Sequence, residues 1–183
     1  LVDNGIFKWT VVEVGWLLGI PILTGSIMRL PMGILTDKFG GKYVFSFLLL
    51  LCSIPLFLLP FADSFFMFAV LSFMFGMVGT SFAVGIGFTS VWYPKEWQGR
   101  ALGIFGMGNA GAAITTFMAP SLLNEFSIDD PQNGWKLLPV IYACGLIVIG
   151  VIFLIFTKNK KADKSNKSIP EMLSTLKSTR VWR

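Results

Sequence analysis

Histidine is absent from the 183 residues, and cysteine occurs only at Cys52 and Cys144. The first absence removes the commonest proton shuttle and metal ligand. Both cysteines fall in apolar stretches and read as small core residues, so neither a disulfide framework nor a metal site is implied. Charge is scarce as well: 14% of residues are charged against 54% hydrophobic, with a mean hydropathy of +0.71, where a soluble domain would carry about a quarter charged residues. The chain therefore reads as all-α, a polytopic bundle of membrane-spanning helices. A formal charge of +5 would suit nucleic acid, but the basic residues collect in short loops and a tail rather than on one face, so no nucleic-acid partner is expected. No charged start followed by a short apolar core marks a signal peptide. The chain opens on Leu1 and is expected to be a piece of a longer protein.

Five apolar stretches stand out, at about 14–36, 43–61, 65–91, 101–123 and 137–157, each able to cross a bilayer at roughly 1.5 Å per residue. The third is long enough to require tilt. Residues 1–13, with Asp3, Lys8 and Glu13, read as a lead-in outside the bilayer. Pro21 and Pro31 are expected to bend the first span, which membrane helices tolerate where neighbours re-satisfy the freed carbonyls. Ala62 to Ser64 is a short turn. WYPKEWQGR at 92–100 reads as an amphipathic connector suited to the headgroup layer. Residues 124–136 form a polar loop, and 158–183 a basic segment, part of it an amphipathic helix. One side of the bundle collects Lys38, Lys42, Lys95, Arg100, Lys158, Lys160, Lys161, Lys164 and Lys167, and the other only Lys8 and Lys136. By the positive-inside bias the tail is cytoplasmic and residue 1 external. An external start with an odd number of spans points to one preceding helix. Restoring it gives six spans followed by a long basic loop, which is half of a repeat-built transporter.

No Asp or Glu lies inside any of the five stretches, and the single charge in them is Arg29. An ionisable residue at that depth is a functional-site hypothesis by default. Arg29 precedes Asp37 by about eight residues, roughly 12 Å along the axis, and a helical side chain leans toward its own N-terminus, here toward the bilayer centre. Snorkelling would run against that lean. A guanidinium without a carboxylate suits a dissociable anion gripped by a two-pronged fork. The alternative is an arginine paired with carbonyls, or with a carboxylate outside this chain.

Depth counting brings other polar or aromatic residues to the same layer. Asn109 lies about nine residues from Arg100 on the fourth span, and Phe82 about ten before Trp92 on the third, so all three sit roughly 12 to 15 Å from the basic side. Secondary transporters bind substrates at such a midplane. Gly25, Arg29 and Gly33 make one stripe; Gly76, Gly79, Thr80, Ala83, Gly87 and Ser90 make another; Gly103, Gly106, Gly108 and Gly111 surround Asn109. Each single glycine reads first as helix packing. A buried Asn109 amide needs partners, either an anion or a neighbouring helix. GMGNAG, Gly106 to Gly111, fits GxGxxG and is followed by Asp129 and Asp130 at the distance of a ribose-binding acid. That pattern requires a strand and a βαβ context, which this apolar span denies it. No nucleophile–base pair, metal set or phosphate loop supports an enzyme, and no cofactor is implied.

GILTDKFGGK, Gly33 to Lys42, resembles the loop signature between the second and third helices of the major facilitator superfamily. SFAVGIGFTSVWYPKEWQGRALGIFGMGNAG, Ser81 to Gly111, resembles the signature region of the nitrate/nitrite porter family, and the RLP of Arg29 to Pro31 matches that family's second helix. The resemblance runs from the end of helix 1 to the threshold of helix 7. It implies an N-terminal half with helix 1 missing, a missing C-terminal half as its partner, and a plasma-membrane location, the inner membrane of a bacterium. It also implies nitrate and nitrite as substrates, with Arg29 gripping the anion, Asn109 contacting it and Phe82 among the aromatics that sandwich it. Asp37 takes the role of stabilising one access state, in a switch loop of Gly33, Asp37, Gly40 and Lys42. Gly41 stands where many members carry arginine, a departure from the full charge relay. The expectation is alternating access with anion exchange or proton-coupled uptake, exchange being favoured because this half offers no acid or histidine beside the site. The rivals are a small organic anion as substrate, or a membrane sensor that binds without turnover.

Overall fold

The computed structural model describes residues 7–130 and 132–161. Among these, regular structure is entirely helical, in five helices long and apolar enough to cross a membrane. They are Val11–Phe39, Gly41–Phe61, Phe65–Trp92, Lys95–Ile128 and Gly134–Phe156, called here the first to fifth spans. The amphipathic helix expected in the basic tail falls on residues 162–183, outside those described.

The helices outrun the apolar stretches, and their caps explain why. TVVE at 10–13 forms a capping box: Glu13 N–H donates to Thr10 Oγ1 at 3.3 Å and Thr10 N–H donates to Glu13 Oε2 at 2.7 Å. The first helix thus begins at Val11, inside the supposed lead-in, because two orphan donors are satisfied there. Residues 92–100 are no separate connector either. Pro94 stands at the N-cap, and Lys95–Gly106 is already helical. Gln98 Nε2 folds back to donate to the Ser90 and Tyr93 carbonyls at 2.9 and 3.2 Å. At the far end of the fourth span the helix continues through Asp129, so the polar loop shrinks to a turn around Asp130. The Asp130 carboxylate accepts from Asn133 Nδ2 at 3.1 Å and from the Asn133 and Gln132 N–H groups at 3.0 and 3.2 Å. These bonds, the Asn133 side chain first, hold its carboxyl below the usual carboxylate range.

Proline sets the break in the first span. Pro31 has no N–H to give the Ile27 carbonyl and its ring crowds that oxygen. The helix Val11–Ile27 accordingly stops, and a second, Arg29–Phe39, starts after Met28. Met28 and Met32 keep their own bonds, to the Thr24 and Met28 carbonyls at 2.9 and 3.0 Å. Pro21 lies inside the first helix and does not end it.

The first and third spans run side by side in the same direction with their backbones in contact. A Cβ on Gly76 would stand 2.6 Å from the Pro21 Cα, and one on Gly25 would stand 2.8 Å from the Gly76 carbonyl oxygen. Lower down, a Cβ on Gly87 would touch Thr36 Cγ2 at 3.0 Å. The second span fills the angle between them. Its Leu48 and Cys52 are fully buried with Val84 of the third span, and Met32 and Val44 complete that core. The fifth span lies on the second through Gly150, whose Cβ position is 3.3 Å from the Leu49 Cβ. At the end away from the basic residues, Phe7, Trp9, Phe68 and Trp135 form one aromatic cluster, with centroid distances from 4.5 Å for the Phe7–Trp9 stack to 6.0 Å for Phe68–Trp135.

A side chain at Gly25 has nowhere to go but into the third span's backbone. Gly25→Val is expected to destabilise the protein by about 1–3 kcal/mol, read as a lower thermal midpoint of the detergent-solubilised full-length parent. An unchanged midpoint would show that the two spans are not held at this contact.

Candidate functional site

Arg29 is the first residue of the helix that starts after Met28. It lines a pocket of about 260 Å³ together with Pro21, Ile22, Gly25 and Ser26 of its own span and Phe75, Gly76, Val78 and Gly79 of the third. The glycines are what make this space. Where they touch, the two spans lie backbone to backbone; one turn further on, the break at Met28 lets the Arg29 side chain stand beside the contact. No described residue forms a hydrogen bond or ion pair with Arg29, and no Asp, Glu or His belongs to the pocket's lining. Ser26, Thr24 and Thr80 satisfy themselves within their own helices, donating to the Ile22, Ile20 and Met77 carbonyls at 2.8, 3.0 and 2.7 Å. Among the described lining residues the guanidinium is the one charged donor.

The third span is irregular at the same level. It changes from α to 3₁₀ geometry over Met77–Thr80, immediately after the Gly76 contact, and 3₁₀ turns inside a helix often mark a hinge. The fourth span does the same over Met107–Asn109. Both turns and the Met28 break fall near one height in the bundle. The pairings of Gly25 with Gly79 and of Thr36 with Gly87 place Arg29 level with about Phe82. Phe105 of the fourth span packs its ring against Phe82 at 5.5 Å and fills the space where Gly85 has no side chain. Asn109, one turn beyond Phe105, then lies within roughly 6 Å of that height.

Equal height is not one pocket. Neither Phe82 nor Asn109 lines the space beside Arg29. Phe82 is engaged with Phe105, and Met107, Gly108 and Asn109 are exposed. Asn109 makes no side-chain hydrogen bond to a described residue, so the neighbouring-helix alternative finds no partner among those residues. A Cβ on Gly103, Gly106, Gly108 or Gly111 would meet nothing within 4 Å, and the same is true of Gly33. These glycines do not pack against the spans described here, whereas Gly25, Gly76, Gly79 and Gly87 do. In the switch loop, Gly40 adopts φ +90°, Asp37 is half-buried on the last turn of the first span, and the Lys42 ammonium stands 5.8 Å from the Tyr43 ring centroid. Gly41, at the position of the missing arginine, is pressed against Phe88: a Cβ there would lie 2.6 Å from the Phe88 Cβ.

The bundle and its charged pocket define a multi-pass membrane protein. The Major Facilitator Superfamily model matches residues 4–183, and the chain belongs to that superfamily. Among curated relatives, it is 37% identical over 183 residues to a probable nitrate/nitrite antiporter, NarK1, of Thermus thermophilus, covering 97% of this chain and 41% of the relative. It is 32% identical over 163 residues to a nitrite extrusion protein of Bacillus subtilis, covering 89% of this chain and 38% of the relative. A probable nitrate transporter, NarT, of Staphylococcus carnosus is 32% identical over 177 residues, covering 96% of this chain and 43% of the relative. The chain thus spans about four-tenths of the length of these relatives. No solved structure matches it.

Phe105 was not singled out by depth counting, since only its meeting with Gly85 and Phe82 gives it a role. Phe105→Ala is expected to destabilise by about 3–5 kcal/mol at most and to raise amide exchange across Lys95–Gly106, whereas Phe82→Ala, at a 39% exposed position, should do less of both. Equal effects, or none, would show that the fourth span is anchored elsewhere.

Proposed function

We propose that the chain contributes part of a secondary transporter that moves nitrate and nitrite by alternating access. The observation that carries this reading is Arg29: the one charge in the apolar stretches, without a partner among the described residues, in a 260 Å³ pocket walled by glycine backbone. A planar oxyanion accepts both prongs of a guanidinium. The three relatives, a probable nitrate/nitrite antiporter, a nitrite extrusion protein and a probable nitrate transporter, support nitrate and nitrite as the anions.

In this mechanism Arg29 binds the anion, and Asn109 and Phe82, near the same height, close on it when the fourth span moves toward the first. Their present separation from the pocket fits an open state. Asp37, Gly40 and Lys42 belong to the turn that reports the state at the basic end. The basic end is cytoplasmic by the positive-inside bias, residue 1 is external, and the location is the plasma membrane, a bacterial inner membrane. Exchange of one anion for the other is favoured over proton symport because no titratable acid or imidazole lines the pocket. A second half of the same protein supplies the opposite wall.

The test is uptake of labelled nitrate into vesicles carrying the full-length parent or its Arg29→Lys variant, preloaded with nitrite or left empty, at fixed pH. Lysine keeps the charge and loses the fork. Uptake should require internal nitrite and fall roughly 10- to 100-fold in the variant, the loss expected for a charged hydrogen-bond pair. Equal uptake by parent and variant would remove Arg29 from the mechanism; absence of nitrate uptake by a folded parent would reject the substrate.

A further inference from the structure

The chain does not leave the bundle when the fifth span ends. Thr157 stops that helix with its hydroxyl donated to the Phe153 carbonyl at 2.5 Å and its own backbone extended at φ −94°, ψ 151°. The Phe153 ring is lodged between Phe45 of the second span and Phe88 of the third, at centroid distances of 4.9 and 5.2 Å. From this anchor, residues 157–161 run across the basic end. Lys160 stands 5.5 Å from the Trp92 ring centroid, and Asn159 reaches the turn between the first and second spans.

Asn159 Nδ2 donates to the Phe39 carbonyl at 3.0 Å, a bond between residues 120 apart. The last carbonyls of a helix have no intrahelical donor, so Asn159 caps the first span from the far end of the chain. Gly40 makes room for it. At φ +90° glycine is favoured for the backbone alone, and a Cβ at Gly40 would also fall on the Asn159 amide. The other half of that amide is unused by any described residue: Asn159 Oδ1 is buried and accepts no hydrogen bond from them. Beside it the second span begins at Gly41 with no side-chain cap on its first N–H groups. A small slide of the strap would let one amide cap the end of one helix and the start of the next.

The segment being held is Arg29–Phe39, a helix of 11 residues. One end carries Arg29 and adjoins the Met28 break; the other is gripped by Asn159. We infer that Asn159 is a positioning residue for transport, fixing the far end of this rod so that Arg29 keeps its place in the pocket and moves only with the strap and fifth span. This rests on the transporter reading, through the role given to Arg29. It gives Gly40 a reason beyond turn geometry, and it gives the segment after the fifth span a task in the mechanism.

The experiment compares the full-length parent with Asn159→Ala, Asn159→Asp and the double variant Asn159→Ala/Gly40→Ala. Each is tested for equilibrium nitrate binding per folded protein, nitrate–nitrite exchange in vesicles, and amide exchange over Arg29–Phe39. Losing one hydrogen bond of this kind should weaken binding and slow exchange about 2- to 10-fold, with amide exchange rising over Arg29–Phe39. Aspartate keeps the shape but cannot donate to a carbonyl, so it should behave like alanine. Adding Gly40→Ala should bring a further loss of nitrate binding, because φ +90° strains any residue with a Cβ even after the Asn159 amide is gone. Binding and transport at parental levels in Asn159→Ala would overturn the inference, even if its thermal midpoint falls. A parental Asn159→Asp would overturn it as well, by showing that bulk rather than the donated bond matters. If the parent itself carries no nitrate, the proposed function fails, and amide exchange still decides the clamp: unchanged protection over Arg29–Phe39 in Asn159→Ala overturns it.

Discussion

The contact on which the rest of this bundle depends is the meeting of backbones at Gly25, Gly76 and Gly79. Lipid tails are as apolar as leucine, so association of helices in a bilayer gains little from the hydrophobic effect and relies on close van der Waals packing. Two spans without side chains between them achieve it. At Gly25 a Cβ would stand 2.8 Å from the Gly76 carbonyl oxygen, so no larger residue fits there without moving the spans apart. Once that height is fixed, Thr36 meets Gly87 further along the same pair of helices, and Gly41, at the start of the second span, meets Phe88. The position of Arg29 follows, because it lies one turn from the contact on a helix that has just been broken.

Two of the three helix breaks fall beside the closest packing, and the third lies on an exposed stretch. Met28, Met77–Thr80 and Met107–Asn109 interrupt three different spans, and irregular backbone in a membrane protein is tolerated where it is buried in protein or lines a cavity. Pro31 causes the first interruption by withholding a donor from Ile27. The second follows a glycine pressed against Pro21. The third lies among Gly106, Gly108 and Gly111, whose missing side chains leave the helix easy to deform and face no described neighbour. Breaks of this kind divide the spans into short rods, of which Arg29–Phe39 is the clearest.

Much of this was legible in the residues. A single arginine in five uncharged stretches is a strong signal whatever the fold, and the lysine distribution sorts the ends. Gly25, Gly76, Gly79 and Gly87 announced which faces approach, whereas Gly33 and the glycines around Asn109 meet no described neighbour. Other features were out of reach for stated physical reasons. Depth along an axis can be counted, but rotation about it cannot, so Phe82 and Asn109 share the height of Arg29 without sharing its pocket. The start of the first helix was written in TVVE, a capping-box pattern hidden by reading Glu13 only as a polar flank. The fourth span began six residues early because a polar helical turn continues an apolar one at no cost outside the bilayer core. Asn159 could not have been found, since nothing near it in sequence says that its amide will meet Phe39.

Under the proposed exchange, a guanidinium without a partner among the described residues bears on how the two movements are coupled. An empty site leaves a charge in a glycine-walled, largely apolar layer, where an uncompensated ion is costly. A bound anion removes most of that cost by direct pairing. Any rearrangement that narrows the layer and expels water raises the cost of the empty state far more than that of the loaded one. Under the proposed mechanism, then, the loaded carrier crosses and the empty one waits for an anion. In that proposal the asymmetry would couple inward and outward movement without a proton or a second ion, and it requires that Arg29 keep no permanent carboxylate partner. A permanent acidic partner in this pocket would pair the arginine in every state, lower the barrier to the empty transition, and weaken the coupling along with the anion's grip.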